Sequence, residues 1–127
     1  MKVIEDKVAV YPPHAISKAD IPIILSSLPP TWTDGIETIK LSAFQRPRWI
    51  ACYFDYNHTL TICSRGFTKW RTIQAILMEL GAHGLGLQYQ RQHRLQQRDV
   101  ERLLRVIAPF VEQIVPQLSQ KKVWLDH

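Results

Sequence analysis

The sequence predicts an α+β fold in which a small sheet of three or four strands is covered by a central helix. An N-terminal helix precedes this helix and a basic C-terminal helix follows it. Short apolar runs that alternate with polar residues are typical of strands and lie mainly in the first half of the chain. Longer runs with apolar residues at steps of three and four are typical of helices. The apolar side of the sheet needs a cover, which the central helix can supply.

The first predicted strand and helix lie near the N-terminus. Residues 2–11 contain a short apolar alternation suited to a strand at the edge of a sheet, and a proline pair at residues 12–13 ends it. Residues 17–20 can cap the helix that follows. Residues 21–28 give that helix an apolar side, and a second proline pair at residues 29–30 closes it.

The remaining strands are predicted between the N-terminal helix and the central helix. Residues 36–41 alternate between apolar and polar side chains after a turn at residues 34–35. Residues 49–56 and 59–63 are rich in aromatic and β-branched side chains and flank the polar pair at residues 57–58. This arrangement predicts a β-hairpin.

The central helix is predicted over residues 68–90, the longest helical pattern without proline. Thr68 is a suitable N-cap. The glycines near the C-terminal end serve close packing or end the helix near Gly86. The predicted core side carries Trp70, Ile73, Ile76, Leu77, Leu80, Gly84 and Leu87, and the opposite side carries Ala75, Met78, Ala82 and Leu85. A helix that is apolar on both sides is usually buried on both sides.

The final helix is predicted over residues 95–118 and has a narrow apolar seam of nearly heptad spacing. Pro109 cannot donate a hydrogen bond to the carbonyl four residues before it, so we expect a kink or break there, and another at Pro116. Residues 1–120 are expected to form one domain and residues 121–127 a flexible tail. The seam consists of Val100, Leu103, Leu104, Ile107, Val111, Ile114, Val115 and Leu118.

Composition restricts the classes of protein to which the chain can belong. No run approaches the roughly 18 apolar residues of a membrane span, and residues 1–6 lack the apolar segment of a signal peptide. We therefore expect a soluble, cytoplasmic protein without a membrane partner, and the oligomeric state stays open. Cys52 and Cys63 are expected to be free, buried thiols in a reducing compartment.

The positive charge is concentrated in one stretch. The chain has a net charge of +5, and in residues 91–105 five arginines against two acidic residues give a local balance of +3. This basic surface predicts an acidic partner, and an acidic protein is the first interpretation. A nucleic acid is the alternative, because arginines contact phosphates and Tyr89 can stack on a base. The candidate binding residues are Lys69, Arg71, Arg91, Arg94, Arg98, Arg102 and Arg105.

A second candidate site lies in residues 76–83 of the central helix, Ile-Leu-Met-Glu-Leu-Gly-Ala-His. This run resembles the active-site helix of zincin-type metallopeptidases, in which an apolar pair precedes His-Glu-x-x-His. In that family the two histidines hold zinc and the glutamate activates the zinc-bound water. The chain keeps Glu79, while Met78 and Ala82 stand at the two histidine positions. The resemblance extends over residues 36–108 in the order of elements, and it implies a zincin-like fold.

The resemblance implies a scaffold whose zinc ligands have been replaced. Glu79 is then a vestigial catalytic residue, and no cofactor is expected. The remaining candidates for metal ligands are Glu79, His83, His93 and Glu101; Glu101 matches the place where some zincins take a third ligand from a later helix. We therefore expect a non-catalytic binding protein of a small basic type that is common in bacteria. A metal-dependent hydrolase with a rearranged site around Glu79 is the alternative.

The carboxylate of Glu79 also has to be satisfied in a binding protein. On a helix that is apolar on both sides this carboxylate needs a partner, because burying an unpaired charge costs several kcal/mol. Lys69, Arg71, Gln74 or a donor from the final helix can supply it. We expect Glu79 and the partly buried His83 to satisfy each other or nearby backbone groups.

Overall fold

A mixed four-stranded sheet lies against the helices in the computed structural model, which describes residues 1–6, 12–46, 48–87 and 95–118. In chain order the elements are β1 (Lys2–Glu5), α1 (Asp20–Ser26), α2 (Pro30–Thr33), β2 (Thr38–Leu41), β3 (Ala51–Phe54), β4 (Thr59–Ile62), α3 (Lys69–Gly84), α4 (Gln97–Ile114) and a 3-10 turn (Val115–Gln117). The predicted α+β class with a small sheet and a C-terminal helix is confirmed.

The strands lie in the order β1-β2-β4-β3. β2 pairs in parallel with both β1 and β4, whereas β3 and β4 form the antiparallel hairpin that the sequence predicts. β1 lies at one edge of the sheet, as predicted, and β3 lies at the other. The first strand ends at Glu5, and residues 7–11 of the predicted strand lie outside the described residues.

One face of the sheet forms the core with the helices. In β2 and β4 alternate side chains are buried, so that Ile39, Leu41, Leu60 and Ile62 belong to one hydrophobic cluster together with the buried side of α3. Trp70 was predicted on the core side of α3 but is 45% exposed. It lies in the first turn of this helix, and the buried part of the helix begins only at Thr72.

The glycines of α3 allow a close approach to a short helix that the sequence did not predict. Pro30 begins α2 instead of only closing α1, because proline suits the first position of a helix. α2 buries Trp32 against α3. A Cβ atom at Gly84 would clash with Cδ1 of Trp32 and would lie 2.8 Å from its Cα atom, and a Cβ at Gly81 would lie 3.2 Å from the same ring. Close packing thus explains the two glycines, and the helix ends at Gly84, near the predicted position.

The start of α1 differs in detail from the prediction. Ala19 is the N-cap residue and makes no capping hydrogen bond through its side chain. The carboxylate of Asp20 instead accepts a hydrogen bond from the backbone N–H of Ser17 at 2.9 Å. An acidic side chain in the first turn of α1 therefore forms a hydrogen bond with the first residue of the predicted capping segment.

Most of the predicted seam of α4 is confirmed, since Leu103, Ile107, Val111, Ile114 and Leu118 are buried, but Leu104 was predicted in the seam and is 37% exposed. The helix is not broken at Pro109, contrary to one of the two outcomes expected there. Pro109 and Arg105 are both exposed, so water can satisfy the carbonyl that loses its partner. The break occurs at the 3-10 turn that contains Pro116, as predicted. None of the described helices combines the length and the apolar character that a bilayer crossing requires.

The contact between Gly84 and Trp32 predicts the effect of a single methyl group. Alanine favours a helix over glycine by about 1 kcal/mol, but in Gly84→Ala the added Cβ collides with Trp32. We expect the free energy of unfolding to fall by about 1 to 3 kcal/mol, as for other overpacked sites. Urea unfolding measures the change. Gln113→Ala, at an exposed site of α4, is the control and should stay within about 0.5 kcal/mol of the wild type. A Gly84→Ala variant as stable as the wild type would contradict the close contact.

Candidate binding site

A cavity of about 420 Å³ opens between the start of β3, one side of α3 and the start of α4. The chain segments that approach it are held by the hairpin and by the packing of α3 on α4. Its lining residues are Arg46, Arg48, Trp49, Ile50, Ala51, Phe67, Arg71, Ala75, Met78, Glu79, Leu95 and Val100. A volume of this size lies within the range of about 300 to 1,000 Å³ that is usual for ligand sites.

α3 contributes a row of side chains to the cavity. Arg71, Ala75 and Met78 follow one another at steps of four and three and therefore lie along one side of the helix. Ala75 is the smallest of the three and leaves room between the other two. Ala75 and Met78 belong to the second apolar side that the sequence predicts for α3 and border the cavity, whereas Ala82 of the same side is buried in the core and Leu85 is exposed.

Three arginines surround the mouth of the cavity. Arg46, Arg48 and Arg71 are exposed, whereas the other lining side chains are buried or half-buried. The guanidinium of Arg71 lies over the ring of Phe67, 5.5 Å from its centroid. Trp49 meets Phe54 edge to face, with 6.0 Å between the ring centroids. The site thus combines a positively charged rim with a largely apolar interior.

The carboxylate of Glu79 lies in the cavity wall and is satisfied by the edge of the sheet. The side chain is only 7% exposed, and Oε1 accepts a hydrogen bond from the backbone N–H of Tyr53 at 3.3 Å. The carboxylate of Glu79 also accepts a hydrogen bond from the thiol of Cys52. These donors differ from the side chains that the sequence suggested. A nearby backbone group was among the expected partners of Glu79, and the backbone N–H of Tyr53 is such a partner.

Burial raises the pKa of the Cys52 thiol, and the charge and hydrogen bond of Glu79 add to this shift, so that the pKa is about 12. Cys63 is also buried, which raises the pKa of its thiol, while Ser42 and Arg46 oppose the shift. Both cysteines are free, as expected. A thiol that stays protonated is a poor nucleophile, so neither cysteine suits covalent chemistry.

The residues at the zincin-like motif do not fit a zinc ion. Ala82 is fully buried and Met78 lines the cavity, so neither position offers a nitrogen ligand. Nε2 of His83 lies 2.6 Å from the carbonyl oxygen of Asp34, and its ring lies 4.8 Å from that of Tyr53. This histidine bonds a nearby backbone group, which was among its expected partners.

Glu101, the candidate ligand on the later helix, makes a different contact. Glu101 is exposed on α4 and accepts a hydrogen bond from Gln97 at 3.2 Å. Among the described residues no three histidine, cysteine or acidic side chains come together as metal ligands would. His93 lies outside the described residues.

The predicted basic residues fall into separate places. Arg71 lies at the cavity rim, whereas Lys69 is half-buried in the first turn of α3 and does not line the cavity. A third group is exposed on α4, on the side opposite the buried seam, where a helical wheel of about 100° per residue brings its members together. This group consists of Arg98, Arg102 and Arg105. Arg91 and Arg94 lie outside the described residues.

Arg46 and Arg48 are site residues that the sequence analysis missed. Both lie between residues 36–41 and 49–56, in a segment for which the sequence predicts neither a strand nor a helix. Their position beside Trp49 could have indicated a binding surface, because basic and aromatic residues together are typical of such surfaces. Only the fold brings this segment next to Arg71.

A buried polar cluster elsewhere ties the segment before α1 to the segment after β4. Nδ1 of His14 and Oγ of Ser64 share a hydrogen bond of 3.1 Å, and Ser64 also accepts one from the backbone N–H of Ala15. Nη1 of Arg65 donates to the carbonyl of Pro12. Burial, followed by the charge of Arg65, lowers the pKa of His14 to about 4, so the imidazole is neutral near pH 7. These contacts stabilise the fold away from the cavity.

Comparison of the chain with protein-family models, with curated proteins and with solved structures finds no match. The chemistry of the cavity therefore has to indicate the function.

The raised pKa of Cys52 predicts how stability changes at alkaline pH. The thiol ionises near its ordinary pKa of 9.0 in the unfolded chain but near 12 in the folded one. Between these values the unfolded state binds fewer protons, so the free energy of unfolding falls as pH rises. We expect a Cys52→Ala variant to lose stability less steeply than the wild type above pH 9, although it is less stable at neutral pH. Urea unfolding at a series of pH values measures both slopes, and parallel slopes would contradict the assignment.

Proposed function

We propose that the protein is a non-catalytic binding protein that engages an acidic surface of a partner protein through Arg46, Arg48 and Arg71. The scaffold resembles zincin metallopeptidases whose zinc ligands have been replaced. The observation that carries the proposal is the cavity beside the zincin-like motif, which has three exposed arginines at its mouth and mainly apolar side chains within.

The environment of Glu79 supports binding over hydrolysis. In a zincin the glutamate takes a proton from a metal-bound water. Here the carboxylate accepts hydrogen bonds from the backbone of Tyr53 and from the thiol of Cys52. It therefore holds α3 against the edge strand. The side chains at positions 78 and 82 leave this carboxylate without the neighbours that metal catalysis needs.

The arginine rim supports an acidic partner. A guanidinium forms two parallel hydrogen bonds with a carboxylate, and arginine is enriched at the centres of protein interfaces. Exposed charges of one sign also accelerate association with an oppositely charged surface and select against other partners. The interior of the cavity adds apolar contact area to the binding site, which the arginines alone would not provide.

A second candidate function rests on a different surface. Arg98, Arg102 and Arg105 form an exposed stripe along α4, and such a stripe suits the phosphates of a nucleic acid. The two groups of arginines have no residue in common, so each can be changed while the other serves as the control.

The replaced motif predicts the metal content. Protein purified without an affinity tag should contain no stoichiometric zinc, because three suitable ligands do not meet around Glu79 in the described structure. Elemental analysis after dialysis measures this. One equivalent of zinc that is lost in Glu79→Ala or His83→Ala would instead support the rearranged hydrolase.

Charge reversal distinguishes the two surfaces. The rim variant R46E/R48E/R71E and the α4 variant R98E/R102E/R105E are compared with the wild type in capture from nuclease-treated extract, and the captured protein is then purified for affinity measurements. We expect the rim variant to bind this partner at least about 100-fold more weakly, at about 1 kcal/mol for each exposed ion pair. The α4 variant should bind it like the wild type.

The same two variants test the nucleic-acid alternative. Retention on a single-stranded or double-stranded oligonucleotide that falls steeply between about 50 mM and 200 mM salt, and that is lost in the α4 variant, would favour nucleic acid. A protein partner that binds the rim variant as well as the wild type would overturn the proposed function.

A further inference from the structure

We infer that the bound segment of the partner inserts one large apolar side chain into the cavity and places carboxylates on both sides of it. The inference rests on the proposed function and specifies the chemistry of the ligand at the same site. Four features of the cavity support it: its shape, the position of Ala75, the two segments of the arginine rim and the buried carboxylate.

The interior of the cavity suits an apolar anchor. Apart from the three arginines and Glu79, every lining residue has an apolar or aromatic side chain. Ala75 lies one turn from both Arg71 and Met78, and its short side chain leaves the space that an anchor needs. Met78 has an unbranched, flexible side chain that can adapt to different occupants. Buried anchors of this kind supply most of the affinity in protein interfaces.

The arginines reach the cavity from two separate segments. Arg46 and Arg48 precede β3, whereas Arg71 lies on α3, and all three line the cavity. A ligand with an acidic residue on only one side of its anchor would use half of this charge. Acidic residues both before and after the anchor match both segments.

The carboxylate of Glu79 keeps the ligand's charges at the rim. Glu79 is nearly buried in the cavity wall. Inside a poorly hydrated cavity it repels another anion more strongly than it would in water. The group that enters is therefore uncharged, and the ligand's carboxylates stay near the exposed guanidinium groups.

The aromatic rings favour a peptide over a nucleic acid at this site. Single-stranded nucleic acids stack their bases on open aromatic faces. At the cavity, one face of Phe67 is covered by Arg71, and Trp49 packs edge to face with Phe54. An inserted side chain requires volume and apolar contact, which the cavity provides without an open stacking platform.

A peptide library tests the inference directly. The probes are fluorescein-labelled peptides with two acidic residues on each side of one varied position, and fluorescence anisotropy measures their binding to the full chain. We expect peptides with Trp, Phe, Leu or Met at the varied position to bind at least about tenfold more tightly than the peptide with Ala there. Ala75→Phe should remove this preference, because the larger side chain fills the space that the anchor needs. Ala108→Phe, at an exposed alanine of α4, is the matched control and should keep the preference.

A second variant covers the case in which Ala75→Phe does not fold, as judged by circular dichroism. Met78→Ala enlarges the cavity and should shift the preference from Leu toward Trp. An unchanged preference in either folded variant overturns the inference. If no acidic peptide binds while captured partner still depends on the rim arginines, the inference is wrong and the proposed function stands. Binding of single-stranded DNA at the rim, with no peptide binding and no rim-dependent partner, overturns both.

Discussion

The hydrogen bond from the backbone N–H of Tyr53 to the carboxylate of Glu79 fixes the position of α3, on which the site depends. β3 is an edge strand, and an outward N–H at such an edge needs an acceptor other than a neighbouring strand. Glu79 supplies the acceptor from the helix. The contact ties α3 to the edge strand on the side of the helix where Ala75 and Met78 border the cavity. The charge that in a peptidase would promote catalysis here orients a helix.

The opposite side of α3 is fixed by shape instead of charge. Gly81 and Gly84 let the ring and backbone of Trp32 approach the helix, and Leu103 of α4 packs against the same region. A side chain at either glycine would push α2 away. The helix is therefore held between a hydrogen bond on one side and a close apolar contact on the other. The second apolar side of α3 accordingly contributes Ala82 to the core and Ala75 and Met78 to the cavity.

Local patterns were sufficient to predict most elements of the fold. The hairpin, the edge strand, α3 and the seam of α4 follow from spacing and turn residues that act over a few positions. The short helix at Pro30 and the exposure of Trp70 depend on which neighbours pack nearby, which spacing does not reveal. For the candidate site, Arg71 alone among the predicted binding residues that the structure describes lines the cavity. Arg46 and Arg48 join it through contacts between segments that are distant in the sequence. The donor to Glu79 is a backbone N–H, which every residue except proline has, so the side-chain pattern cannot predict it. The zincin resemblance stays a hypothesis.

The burial of Ala82 has a consequence for attempts to rebuild a peptidase from this chain. Histidine at position 78 would project into open space, but histidine at position 82 would have to enter a fully packed interior. Rotating α3 to bring His83 to the position of Ala82 would also move Gly81 and Gly84 away from Trp32. Residues with side chains would then face Trp32 and clash with it. Introducing histidine at both positions would therefore disrupt the core before it created a metal centre, so building a zinc site here requires remodelling α2 as well.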